Sequence, residues 1–222
     1  MPRPEGPFEP IPESALREVL AELERLYPDA DCELRHENAL QLLIATILSA
    51  QSTDVRVNQV TETLFARYRG AEEFAAADPA VFEREIRSTG FFRQKTKSVL
   101  GAARKIVADF GGEVPDTIEE LITLPGVARK TANVVLGTWF RKPVGVVVDT
   151  HIGRLARRLG ITRETDPVKV ERDLMRRLPQ DRWIFMGHAI IWHGRRVCSA
   201  RRPDCANCTL ADWCPRNGLA DV

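Results

Sequence analysis

The sequence predicts an all-α protein of about ten short helices joined by short links. Three observations carry that class. Apolar residues recur at helical spacing along almost the whole chain. Capping residues, prolines and glycines cut it into segments of helix length. Only VGVVV at 144–148 reads as a strand, and a lone strand has nothing to pair with, so it is assigned as an extended connector.

The elements follow in order. The start, MPRPEGPFEPIPE, lacks the basic opening and apolar core of a signal peptide. Residues 1–11 read as a disordered lead and the protein as cytoplasmic. Leu16, Val19, Leu20, Leu23 and Leu26 mark the first helix. ALQLLIATILSA (39–50) is apolar on most sides, as a buried central helix is. Val57, Val60, Leu64 and Tyr68 form the next stripe. Asp78-Pro79 is an N-cap with proline at the first helical position, with Phe82 and Ile86 inside. Val99, Leu100, Ala103, Ile106, Val107 and Phe110 make a long stripe that Gly111-Gly112 stops. Asp116 and Glu119 have capping-box spacing ahead of Leu121 and Leu124. Asp166-Pro167 repeats the cap-and-proline signal.

Composition narrows the class further. The chain has 222 residues, 44% apolar and 28% charged, the balance of an ordinary globular protein. No apolar run reaches membrane-spanning length. The net charge of +1 hides an asymmetry: residues 141–222 carry 16 Lys/Arg against 9 Asp/Glu. That excess marks the C-terminal third as a candidate polyanion surface, although basic helices can also simply solvate one face.

LPGVARKTANVV (124–135) places Arg129-Lys130 where a helix begins. The macrodipole is positive there, so cations are out of place. The stretch reads as a hairpin: a helix over 116–124, a turn at 125–128 and a second helix over 129–140. Ala132, Val135, Leu136 and Trp139 share one face of that second helix. Free N–H groups at its start would bind an anion, phosphate above all, and the two cations then make sense beside a phosphate backbone. An ordinary αα-hairpin with surface cations fits the same letters.

Four of the five cysteines crowd into Cys198-x6-Cys205-x2-Cys208-x5-Cys214, while Cys32 stands alone as a small, partly buried side chain. In a reducing compartment such a cluster points to a metal site. Four thiolates suit either a tetrahedral zinc or a [4Fe–4S] cluster.

LITLPGVARKTANVVL (121–136) resembles the helix-hairpin-helix of the DNA glycosylase superfamily named for it. VVVDTHIGRLARRLG (146–160) is similar to that superfamily's catalytic-aspartate segment. LLIATILSAQSTDVRVN (42–58) is similar to the segment that inserts a glutamine into the DNA stack. With the cysteine spacing, which matches in every interval, the likeness runs from about residue 12 to 215 and is nearest to the endonuclease III branch. It implies two helical domains with a DNA-binding cleft between them. One is a six-helix domain over 32–143, and the other joins 12–31 to 144–222. It also implies action on damaged duplex DNA and a [4Fe–4S] cluster on Cys198, Cys205, Cys208 and Cys214, with tetrathiolate zinc as the lesser reading; no pattern in the sequence points to an oligomer, so a monomer is expected.

The resemblance also assigns roles. Lys130 falls on the nucleophile that forms a Schiff base with the damaged nucleotide's sugar and so cuts the strand. Only a neutral amine attacks, and a helix N-terminus with Arg129 beside it disfavours the ammonium. Asp149 falls on the catalytic carboxylate, and could equally cap the helix that follows it. Gln51 would fill the gap left by the extruded base. Asp54 and His151 would line the pocket. Gly126, Ala128, Arg129, Thr131, Arg201 and Arg202 would lie on the DNA. In STGFFRQK (88–95), Phe91 stands where the family has a second, usually aliphatic, wedge, with Lys95 and Lys97 near phosphate. Ala128 stands where the hairpin commonly has a second glycine. The function implied is a bifunctional glycosylase and abasic-site lyase of base excision repair, acting on oxidised pyrimidines. A monofunctional glycosylase for another lesion, or a non-catalytic DNA-binding iron–sulfur protein, would share much of this pattern.

Overall fold

The computed structural model describes residues 8–219, and among them every regular element is helical. Eleven α-helices run in order: α1 (Glu13–Leu26), α2 (Ala39–Ser49), α3 (Asp54–Arg67), α4 (Ala71–Ala76), α5 (Pro79–Glu85), α6 (Phe92–Phe110), α7 (Ile118–Leu121), α8 (Arg129–Thr138), α9 (Thr150–Arg158), α10 (Pro167–Arg177) and α11 (Trp183–Arg196). Residues 144–148 form no strand, as the connector reading expects. No helix is long and apolar enough to cross a membrane.

The described residues divide into two compact units, Cys32–Val144 and the segments on either side of it. The central unit is organised around α2. Asn38 caps that helix by accepting the Gln41 N–H at 2.9 Å, and Leu42, Leu43, Ala45 and Leu48 are wholly enclosed. Around them pack Phe74, Phe82, Ile106, Leu121 and Leu136. Asp78 accepts the Val81 N–H and Pro79 opens α5, while Gly111 closes α6 in the left-handed conformation at φ 61°. The N-cap lies one residue later than expected. Thr117, not Asp116, accepts the Glu120 N–H and donates its hydroxyl to the Glu120 carboxylate. Asp116 is taken instead by an ion pair with Lys142. Trp139 departs from its expected face: it ends α8, is 40% exposed and meets the His36 ring edge-on.

The flanking unit draws α1 onto α9, α10 and α11. Leu16, Val19 and Leu23 share a core with Ile152, Leu155, Leu174, Met186 and Ile190. The expected disordered lead falls outside the described residues over 1–7, and its described end is ordered. The Ile11 side chain is 2% exposed, its N–H donates to Gly160 C=O, and its C=O accepts from Arg177. Asn217 bonds both the N–H and the C=O of Glu9. At Gly160, φ 73°, an added Cβ would lie 2.5 Å from Glu9 O, so this crossing requires glycine.

Candidate functional site

In the central unit, Leu124 and Val127 are buried and anchor the turn that joins α7 to α8. Gly126 has φ 78° and is exposed, and a Cβ there would sit 2.4 Å from Ser98 Cβ on α6. The glycine is therefore needed first to let the hairpin close on its own α6. Ala128 is extended at φ −91°, ψ 170°, which alanine adopts freely, and its side chain caps nothing. The first intrahelical bond runs from Ala132 N–H to Ala128 C=O at 3.0 Å. The N–H groups of Lys130 and Thr131 thus have no partner within α8 and can meet an anion. Arg129 and Lys130 are exposed and Thr131 half-buried at that end, with Ala132, Val135 and Leu136 fixing the helix from below.

Two loops of the same unit hold residues in the left-handed region. Gln51, at φ 55°, is exposed on the turn between α2 and α3. Asp54 is half-buried in the first turn of α3, whose N-cap is Thr53. Phe91, at φ 47°, ψ 28°, opens α6 and is 64% exposed, so it is not a core residue. Such a conformation costs a bulky residue about 1–2 kcal/mol and must be held by its surroundings. Lys95 corrects the phosphate reading. It is 4% exposed, its Nζ donates to Thr89 C=O at 2.7 Å, and burial pulls its pKa down. Lys97 is exposed.

In the flanking unit, Asp149 caps α9: its Oδ1 accepts the Ile152 N–H at 2.8 Å. One carboxylate oxygen is so engaged and the residue is half-buried. His151 lies on the first turn, with its Nδ1 3.2 Å from Arg154 Nη2. The same Arg154 nitrogen donates to Gly194 C=O and Cys198 C=O, each at 2.9 Å, which ties the α9 N-terminal turns to the cysteine loop.

All four clustered cysteines line one pocket of about 430 Å³ of empty space, part of it open to solvent. Leu155, Leu159, Val197 and Leu210 give it apolar walls. Among the described residues no three His, Cys, Asp or Glu side chains converge on a single ion-sized point. Burial, and then the neighbouring sulfurs, push the Cys214 thiol up to about 11. Burial likewise raises the Cys208 thiol. Four cysteine sulfurs on one pocket are the donor set that a thiolate-bound iron group takes, so these residues fit such a cluster.

The structure adds residues that no sequence pattern singles out. Arg158 is buried and wraps the first cysteine loop, donating to Cys198 Sγ at 3.2 Å and to the carbonyls of Ser199 and Ala200, each at 2.8 Å. Buried His193, pushed down to about 4 by desolvation and so neutral, lies between the Tyr27 hydroxyl at 3.0 Å and Cys208 Sγ at 3.5 Å. The helical spacing of Arg158 from Arg154 is the one available signal, and it reads equally as a solvated basic face. Arg201 and Arg202 are exposed, with Ser199 Oγ bonded to the Arg202 backbone.

The sequence signature of the HhH-GPD superfamily base excision DNA repair proteins matches residues 44–180. The endonuclease III of Synechocystis sp. is 56% identical over 198 residues, covering 89% of this chain and 90% of its own. That of Bacillus subtilis is 44% identical over 190 residues, covering 85% and 86%. A solved structure described as a trapped endonuclease III–DNA covalent intermediate superposes with a TM-score of 0.88 at 40% identity, covering 93% of this chain and 97% of that one.

Proposed function

The chain belongs to the endonuclease III family of the HhH-GPD superfamily, and from that premise we propose that it is a bifunctional DNA glycosylase and abasic-site lyase that removes oxidised pyrimidines from duplex DNA. The observation that carries the reading is Lys130 itself: an exposed primary amine beside N–H groups that no side chain of the N-cap residue claims. A phosphate held by those groups brings the neighbouring sugar to the amine.

The chemistry follows in balanced steps. Lys130 Nζ attacks the sugar C1′. The C1′–N glycosidic bond breaks, and the base leaves with that electron pair and takes up a proton. The nitrogen lone pair then opens the sugar ring to a C1′=N Schiff base. Loss of a C2′ proton expels the 3′ phosphate, and water hydrolyses the imine to restore the amine. Asp149 opposes the positive charge that builds on the sugar and relays the amine's proton, with one oxygen fixed by the Ile152 N–H. Gln51 and Phe91 enter the duplex where the target leaves it. Asp54 and His151 face the extruded base, while Gly126, Ala128, Arg129, Thr131, Arg201 and Arg202 carry the backbone.

Cys198, Cys205, Cys208 and Cys214 hold a [4Fe–4S] cluster. The spacing of the four, which resembles the endonuclease III iron–sulfur loop in every interval, favours that group over a single zinc. When bound, the cluster cross-links a 17-residue loop that has little core of its own. The decisive test mixes the protein with duplex DNA bearing thymine glycol or an abasic site, then adds borohydride. A covalent protein–DNA band that disappears in Lys130→Ala establishes the Schiff base. Base loss without a band would make the enzyme a monofunctional glycosylase. Binding with neither would leave a non-catalytic binder.

A further inference from the structure

Lys95 is a buried cation that the reaction above does not use. Its backbone N–H donates to Phe91 C=O at 3.0 Å and its Nζ donates to Thr89 C=O at 2.7 Å. One residue thereby fastens both ends of the three-residue loop Thr89-Gly90-Phe91. The loop needs fastening. Gly90 stands at φ 73°, ψ 163°, a region open in practice to glycine alone, and Phe91 follows in the left-handed region. Thr89 is buried, and its hydroxyl donates back to Ile86 C=O at 2.8 Å. The Thr89 carbonyl also ends the 3₁₀ turn Arg87–Thr89, where partial negative charge collects and an ammonium is well placed. What the arrangement displays is a phenyl ring turned out to solvent.

We propose that Lys95 is a positioning residue for base extrusion: from inside the fold it locks the loop so that Phe91 stands preset to enter a base step. This rests on the reading of the protein as a base-extruding glycosylase. A preset wedge spares the enzyme the ordering of that loop at the moment the duplex opens, so its loss slows extrusion and leaves the lysine chemistry alone.

The test compares Lys95→Met, Phe91→Ala and the double variant on two substrates. One is duplex DNA with a damaged base. The other is single-stranded DNA with an abasic site, which needs no extrusion. Lys95→Met should lose about tenfold or more in single-turnover base removal from the duplex, the size of releasing one residue held against left-handed strain. It should trap on the single strand at the wild-type rate. Phe91→Ala should lose at least as much on the duplex, and the double variant should lose no more than the worse single. Equal losses on both substrates, additive losses, or an unchanged duplex rate would overturn the proposal. Should Lys95→Met not fold, Lys95→Gln, whose amide ends one bond short of the carbonyl, is put through the same comparison, and the same results support or overturn the lock. A wild-type protein that traps on neither substrate overturns the function itself, and is thereby distinct from failure of the lock.

Discussion

Asp149 performs a cap and is assigned a catalytic charge, and two substitutions separate them. Asp149→Asn keeps an oxygen for the Ile152 N–H, which Asp149 accepts at 2.8 Å, and removes the charge. Asp149→Ala removes both. Asn caps about as well as Asp, whereas Ala costs about 1 kcal/mol. In a chain of this size that lowers the melting temperature by about 2–4 °C. Activity should divide the variants differently: both should lose about a hundredfold or more in single-turnover base removal, since each lacks the carboxylate opposite the developing positive sugar. Circular dichroism melts read the cap, and a gel assay on thymine glycol duplex reads the charge. An Asp149→Asn protein that keeps its rate while Asp149→Ala loses it would refute the reasoning and reduce Asp149 to a cap.

Other outcomes follow from particular contacts. Arg158→Ala removes the donor that the Ser199 and Ala200 carbonyls and the Cys198 sulfur take from it. Visible absorbance of the iron–sulfur chromophore should then bleach about tenfold or more faster in chelator than in wild type, the factor a lost charged bond allows. Leu43→Ala in the core of the central unit, at 0% exposure, should cost about 2–5 kcal/mol by urea denaturation. Glu22, held by Arg25 and then by Thr209, has its carboxyl lowered from 4.5 to about 2. A lowered folded value stabilises above the unfolded one, and that contribution fades as pH falls from about 4.5 towards 2. Glu22→Gln should flatten that stretch of the pH–stability curve in equilibrium denaturation.

Periodic and punctuated features are legible in the sequence itself. The stripe along α6, the Asp78-Pro79 and Asp166-Pro167 caps and the hairpin turn each repeat a local rule, and local rules survive folding. The structure places Lys130 at an open helix start and all four cysteines on one pocket, as their spacing suggests. Tertiary competition explains the misses. Asp116 loses the cap to Thr117 because Lys142 claims it across 26 residues. Trp139 falls where α8 ends and faces solvent. Lys95 carries a charge that pattern assigns to the surface, yet one carbonyl partner takes it inside. Arg158 and His193 acquire meaning only through loops 40 and 15 residues away, a distance that no window of sequence spans.

The chain leaves one compact unit after Asp31 and returns to it at Gly145. During synthesis the intervening residues emerge as an uninterrupted stretch with a core of their own, and can fold as soon as they clear the ribosome. The first helix cannot. Leu16, Val19 and Leu23 find their partners only when α9 to α11 appear, and Tyr27 waits 166 residues for His193. At about 5–20 residues per second, that is roughly ten to thirty seconds with a greasy helix face uncovered. The first helix thus emerges well before the segments that bury it, and its apolar face needs protection from aggregation while translation runs.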